Sequence, residues 1–297
     1  MTGDATLEAV IPDPDYANRK GYDADFLGTG PQSVPLPVLP DDLVAQASVN
    51  SLPSAGPDYV IPYNHFSVVV NAPRRIAFFT AVNVDGASSM RLKREKDRWF
   101  VDPRIPAEQQ TDESVYKNNP LDRGHLVRRL DPAWGTSREE AKLCNDDTFH
   151  FTNCSPQHED FNQNQTTWAG LEDYILENAD NRDFRVTVFT GPVFAVDDDR
   201  FAGVQLPREF WKVVVMVKES GDMSATAYLL SQAELIAGLE VMPEEFSYGA
   251  YRTFQVPVRK IEERTSLSFG TLPDVDPLAG LEADRADEIS DFDEIRL

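Results

Sequence analysis

No stretch of this 297-residue chain approaches the roughly 18 consecutive apolar residues that a membrane helix needs. Its longest apolar runs, such as Val213–Val217, are strand-sized, and no membrane partner is expected. Only two cysteines occur, Cys144 and Cys154, too few for a disulfide framework. Neither belongs to a C-x-x-C or paired Cys/His arrangement, which argues against a zinc site. Two free, partly buried thiols are the expectation. Basic residues are scarce: 28 Lys and Arg stand against 50 Asp and Glu, a formal net charge of −22. That balance disfavours tight binding to a long phosphate lattice. The N-terminus lacks a basic segment followed by an apolar one, so the expected location is cytoplasmic, or secreted if the chain is a mature form.

The charge is unevenly spread. Residues 1–60 hold nine acidic and two basic side chains, and residues 271–297 repeat those numbers, so the flanks carry −14 and the middle −8. The expected organisation is an irregular acidic arm over 1–60 packing on the core, a domain over 61–270, and a loosely held acidic tail over 271–297. Within the domain, His65–Asn71 and Arg75–Val84 read as strands around a turn at 71–74. Arg98–Val101, Thr148–Thr152, Phe184–Thr190, Phe210–Lys218, Thr226–Leu230 and Tyr251–Val256 read as further strands. Ser137–Asn145 reads as a helix with Ser137 as cap. Thr166–Asn178 has the clearest helical face, through Trp168, Leu171 and Ile175. Gln232–Leu239 reads as a short helix, and residues 104–121 as loop. The class is α+β, with a central antiparallel or mixed sheet flanked by helices.

Two blocks could carry chemistry. Asp122-Arg123-Gly124-His125 packs a carboxylate, a guanidinium and an imidazole around a glycine that lets backbone approach a ligand. A neutral imidazole can take a proton from water near neutral pH, and guanidinium donors match phosphate oxygens. Downstream, residues 151–168 are dense in carboxamides, including Asn153, Gln157, Asn162 and Asn164. A neutral amide oxygen suits a hard cation such as Mg²⁺, which keeps several waters. Arg128 and Arg129 follow the first block and are candidates for phosphate contact. His65 and His150 read as structural, His158 as exposed, and Trp134 as core.

Asp122–His125, Thr-Asn-x-x-Pro-Gln at 152–157, Phe-Asn-Gln at 161–163 and Trp-x-x-Leu-Glu at 168–172 together resemble the DNA/RNA non-specific endonucleases, over roughly residues 60–260. The resemblance implies a ββα-metal active-site motif: one strand carries His125, a second ends near Asn153, and the following helix supplies the metal ligand. It implies His125 as general base, Arg123 as the arginine stabilising phosphoryl charge, and Asn162 as ligand to Mg²⁺, with Mn²⁺ as a substitute. Glu172 matches the helix carboxylate, Asn153 an asparagine supporting the site, and Gln157 falls in the substrate-binding group. Asp122 and Gly124 support the loop. Family members place four residues from the ligand asparagine to the tryptophan. Here Asn162 to Trp168 spans six and Asn164 to Trp168 spans four, and the preceding Phe favours Asn162. DNA and RNA are the implied substrates, cut to 5′-phosphate ends, and a homodimer is compatible. Two rival readings remain open, a phosphodiesterase acting on small esters and a catalytically silent acidic binding protein.

Overall fold

A computed structural model describes residues 13–52, 56–94, 96–163, 184–218, 220–236, 253–280 and 287–288. The predicted helix at 166–178, together with Asn164 and Glu172, lies outside them.

The hairpin that starts the main sheet follows from its turn chemistry. Strands β2 (Phe66–Asn71) and β3 (Ile76–Asp85) are joined where the Asn71 side chain accepts the Arg74 amide at 3.1 Å and the Asn71 carbonyl accepts that of Arg75 at 2.8 Å. Arg75 takes the left-handed conformation, φ 63°, that reverses the chain. Added to this hairpin are β1 (Ile61–Pro62), β6 (Arg185–Val193), β9 (Glu209–Val217), β10 (Met223–Ser231), β11 (Thr253–Val256) and β12 (Asp287–Glu288). The order is β1-β2-β3-β6-β9-β10-β11-β12, and every pairing is antiparallel, while β7 (Arg200–Phe201) and β8 (Val204–Gln205) pair only with each other.

Both faces of this sheet are covered, which is why its central strands read as unbroken apolar runs rather than as alternating ones. Phe210 and Val214 of β9 face one core with Leu126, Val127, Leu130 and Phe161. Trp211, Val213 and Val215 face the other, with Val258 and Ile261 of a C-terminal helix and Val34 and Leu39 of the arm. Each such side chain, fully buried, contributes on the order of 1.5–3 kcal/mol. Among the described residues the helices are α1 (Asp41–Val44), α2 (Glu113–Tyr116), α3 (Arg138–Asp147), α4 (Glu159–Gln163), α5 (Ala233–Ile236) and α6 (Val258–Thr265). Ser137 caps α3 by accepting the Glu140 amide. Cys144 and Cys154 are both free and buried.

Four expectations need correction. Residues 104–121 are not all loop, since α2 lies within them. The segment from Thr148 to Thr152 is not a strand. It bridges to Phe100 only at His150 and then tightens into a 3-10 turn over Phe151–Asn153, because the Asn153 side chain takes up backbone groups that a ladder would use. The Arg98–Val101 strand shrinks to that same single bridge. The tail beyond residue 270 is not loosely held at its start: Leu272 and Leu278 are buried, and Asp276 accepts the Val258 amide at 2.6 Å, capping α6 from a distance. Further on, Asp287 and Glu288 pair with Gln255 and Phe254 as β12.

Candidate active site

A two-stranded ribbon stands apart from the main sheet. Strand β4 (Leu121–His125) pairs antiparallel with β5 (Cys154–His158), in register from Leu121 opposite His158 to His125 opposite Cys154. Helix α4 begins at the next residue, Glu159, so the unit is strand, strand, helix. The second strand starts just after Asn153 instead of ending near it. Alternation along β4 sends Asp122 and Gly124 to one side and Arg123 and His125 to the other.

Leu121 and Cys154 on the second side sink into a small core with Tyr116, Phe151, Leu206 and Ile236. His125 ends the strand in an aromatic cage. Its ring lies 4.6 Å from that of Trp99 and 4.9 Å, edge-on, from that of Phe149. Burial pushes its pKa down to about 3; Asp97 opposes the shift, while Arg94, Arg129 and Arg128 add to it. The imidazole is therefore neutral throughout the physiological range. Its Nε2 is enclosed and has no hydrogen-bond partner, a state that is costly unless another group satisfies it.

The cations around it come from two segments. Arg129 donates to the carbonyl of Leu92 and to Asn145, and burial together with Arg94 and Arg128 lowers its pKa. Arg94 is itself held by Asp97 at 2.6 Å, which offsets part of the positive charge beside His125. Arg123 is held by both oxygens of the Glu113 carboxylate on α2, with its guanidinium 5.5 Å from the Tyr116 ring centre.

On the opposite side of the ribbon, Asn162 of α4 donates its amide nitrogen to Asp122 at 3.0 Å. This leaves the amide oxygen as the end available to a ligand. Gly124 sits directly under the Gln157 side chain, where a Cβ would stand 2.0 Å from Oε1 and 2.7 Å from Cγ. Gln157 is fully buried, and neither end of its amide has a partner. Asn153, by contrast, is fully engaged: its oxygen accepts the Val127 amide, and its nitrogen donates to the carbonyls of Val127 and Thr148, all at 2.9 Å. It fixes the backbone beyond His125.

The sequence profile of the DNA/RNA non-specific endonucleases matches residues 44–276. The chain belongs to this endonuclease family. It is 43% identical over 267 residues to the uncharacterized protein y4fB of Sinorhizobium fredii, covering 86% of this chain and 39% of that protein. The chain thus spans about two fifths of the length of that relative. It is 26% identical over 213 residues to a nuclease of Nostoc sp., covering 71% of this chain and 73% of that one. Its fold is similar to a chain of the EndoG/EndoGI complex, with a TM-score of 0.55 at 19% identity, covering 72% of this chain and 86% of that one.

Asp122, Arg123, Gly124, His125, Asn153, Gln157 and Asn162 lie on one ribbon and the segments that flank it. Arg128 and Arg129 follow on the chain beyond it. The expectation of an exposed His158 is corrected. It is 8% exposed at the end of β5, with its amide donating to Gln232 and its ring beside Asp160. Trp134 packs within 3.5 Å of the His65 ring and donates to the Asn83 carbonyl. Sequence reading missed Arg94, Trp99 and Glu113. The run of cations from Arg91 to Arg98, unusual in so acidic a chain, was the available signal for the first two. Nothing local marked Glu113.

Proposed function

We propose that this chain hydrolyses phosphodiester bonds of DNA and RNA without sequence preference, with His125 as general base. The observation that carries the reading is the enclosed, partnerless Nε2 of His125 beside the Arg94, Arg128 and Arg129 cluster. A neutral ring nitrogen in that position can accept a proton from an attacking water, while the cations draw the phosphate toward it. Arg123, turned from Glu113 to a phosphoryl oxygen, stabilises the charge that develops there. Contacts of this kind go to phosphates rather than to base edges, so sequence and sugar are not discriminated.

The donor set fits a hydrated Mg²⁺. Asn162 offers a neutral amide oxygen whose orientation Asp122 sets, and the described residues hold no group of three or more His, Cys, Asp or Glu side chains that would cage a dehydrated ion. Asn162 would hold the ion, with Asn164 as the second choice. Bound there, Mg²⁺ or Mn²⁺ would supply positive charge for the phosphate and a lowered pKa for its waters. Gln157, fully buried against Gly124, would support the ribbon from within instead of meeting substrate, and Glu172 would hold a metal-bound water. Asn153 and Gly124 shape the ribbon. The resemblance implies that the 3′ oxygen is the leaving group, which would give products with 5′-phosphate and 3′-hydroxyl ends.

The direct experiment is a time course on single- and double-stranded DNA and RNA, with Mg²⁺ and with EDTA. Cleavage of all four, stopped by EDTA and restored by Mg²⁺, is the expected result. Cleavage of small diesters alone would return the reading to a phosphodiesterase.

A further inference from the structure

Residues 147–153 face two ways. Toward the site, Phe149 packs edge-on against His125, and Asn153 ties down both backbone groups of Val127. Away from it, Asp147 and His150 meet the N-terminal arm. Arg19 grips the Asp147 carboxylate through Nε at 2.8 Å and Nη2 at 2.6 Å, and both side chains are buried to within 1%. The Asn64 amide and side chain donate to the same carboxylate at 3.0 and 2.9 Å. His150 Nδ1 lies 2.8 Å from the Asp147 carbonyl, which can only accept, so Nδ1 carries the ring proton. Nε2 is then the acceptor for the Tyr16 hydroxyl, 2.8 Å away. The Arg19 guanidinium closes the group by lying 4.0 Å over the Tyr16 ring.

These arm residues precede the part of the chain that matches the family, which starts at residue 44. A buried arginine–aspartate pair adds little net stability, because both ions lose their hydration, yet it is strict about geometry. Its effect here is placement. We propose that Tyr16 and Arg19 are positioning residues for the site: they hold Asp147 and His150, and through the 147–153 segment set the cage and backbone around His125. Neither touches substrate. The functional half of this statement rests on His125 being the base, and the structural half stands on the contacts alone.

The test uses the full chain, with Tyr16→Phe as the mild variant and Arg19→Ala as the severe one. Tyr16→Phe keeps the ring on which Arg19 stacks and removes one hydroxyl. Amide hydrogen exchange is followed at Leu126 and Val127, which are bonded to Asn153, and along β9 as an internal reference. In Tyr16→Phe, exchange at 126 and 127 should quicken about tenfold, with β9 unchanged and kcat on DNA lowered by a similar factor at constant KM. Arg19→Ala should exceed this, and Arg19→Lys should restore part of it. Equal acceleration across the chain, or none at 126 and 127, overturns the proposal. A wild-type chain that cuts no nucleic acid would sink the reading of the site, while the exchange pattern would still decide the positioning.

Discussion

The carboxylate of Asp122 accepts the amide nitrogen of Asn162 at 3.0 Å, joining the first ribbon strand to the helix that follows the second. If Asn162 holds the proposed cation, this bond sets the amide oxygen as the end that would do so. Asp122→Ala should therefore preserve the fold but weaken metal use, raising the Mg²⁺ concentration for half-maximal activity by about 10–100-fold. A Mg²⁺ titration of cleavage rate checks this. An unchanged titration midpoint in the variant would remove Asp122 from that role.

Gly124 lies where only a hydrogen fits. A methyl group there would stand 2.0–2.7 Å from three atoms of Gln157, which is itself fully buried and cannot swing clear into solvent. Gly124→Ala should cost about 1–3 kcal/mol of stability and displace Gln157, with most activity lost. Denaturant unfolding and cleavage assays, read together, check both halves. A variant as stable and active as the wild type would show that the ribbon has slack at this point.

On the proposed reading of Arg123 as a phosphate contact, Glu113 would compete with phosphate for it. The pair is exposed, with 62% of the Glu113 side chain accessible, so its strength is that of a surface ion pair. Glu113→Gln should tighten binding of a DNA oligonucleotide to an inactive His125→Ala background by about twofold to fivefold. Fluorescence anisotropy at low salt measures it. Weaker binding would mean that Glu113 presents Arg123 to the substrate instead of withholding it.

Burial lowers the pKa of His65, His125 and His150, His125 to about 3. The unfolded chain takes up protons on these rings as pH falls through their ordinary value of 6.5, and the folded chain does not until lower pH. Folding stability therefore declines as pH drops below 6.5. Asp198 and Asp276, whose carboxyls burial pushes up, act in the opposite direction nearer their own range. His125→Asn should lose less stability than the wild type between pH 7 and pH 5, measured as melting temperature. Parallel pH profiles would contradict the folded-state environment assigned to His125.

The legible part of this molecule was the part written in consecutive residues. Asp122–His125 and the 152–157 and 161–163 blocks marked the ribbon and its helix, and the turn at 71–74 announced itself through Asn and Pro. The doubly covered sheet was readable from its Val-rich runs. What stayed hidden depended on residues distant in sequence. Arg19 meets Asp147 across 128 positions, and no local pattern records such a partner. Trp99 and Arg94 belong to a charged stretch that looks like ordinary surface until it is placed against His125. Thr148–Thr152 has β-favouring composition, but the Asn153 amide overrides it. His158 looked solvated because its neighbours are polar, yet Gln232 reaches its backbone from 74 residues away.

The central claim is that His125 takes the proton from the attacking water in a metal-assisted cleavage. The most direct measurement is plasmid cleavage by His125→Ala beside the wild type, in saturating Mg²⁺, with circular dichroism and oligonucleotide binding recorded on both. The account predicts an intact fold, retained binding and a rate lowered by about 10²–10⁴-fold. A folded His125→Ala protein that cuts DNA at the wild-type rate would contradict it.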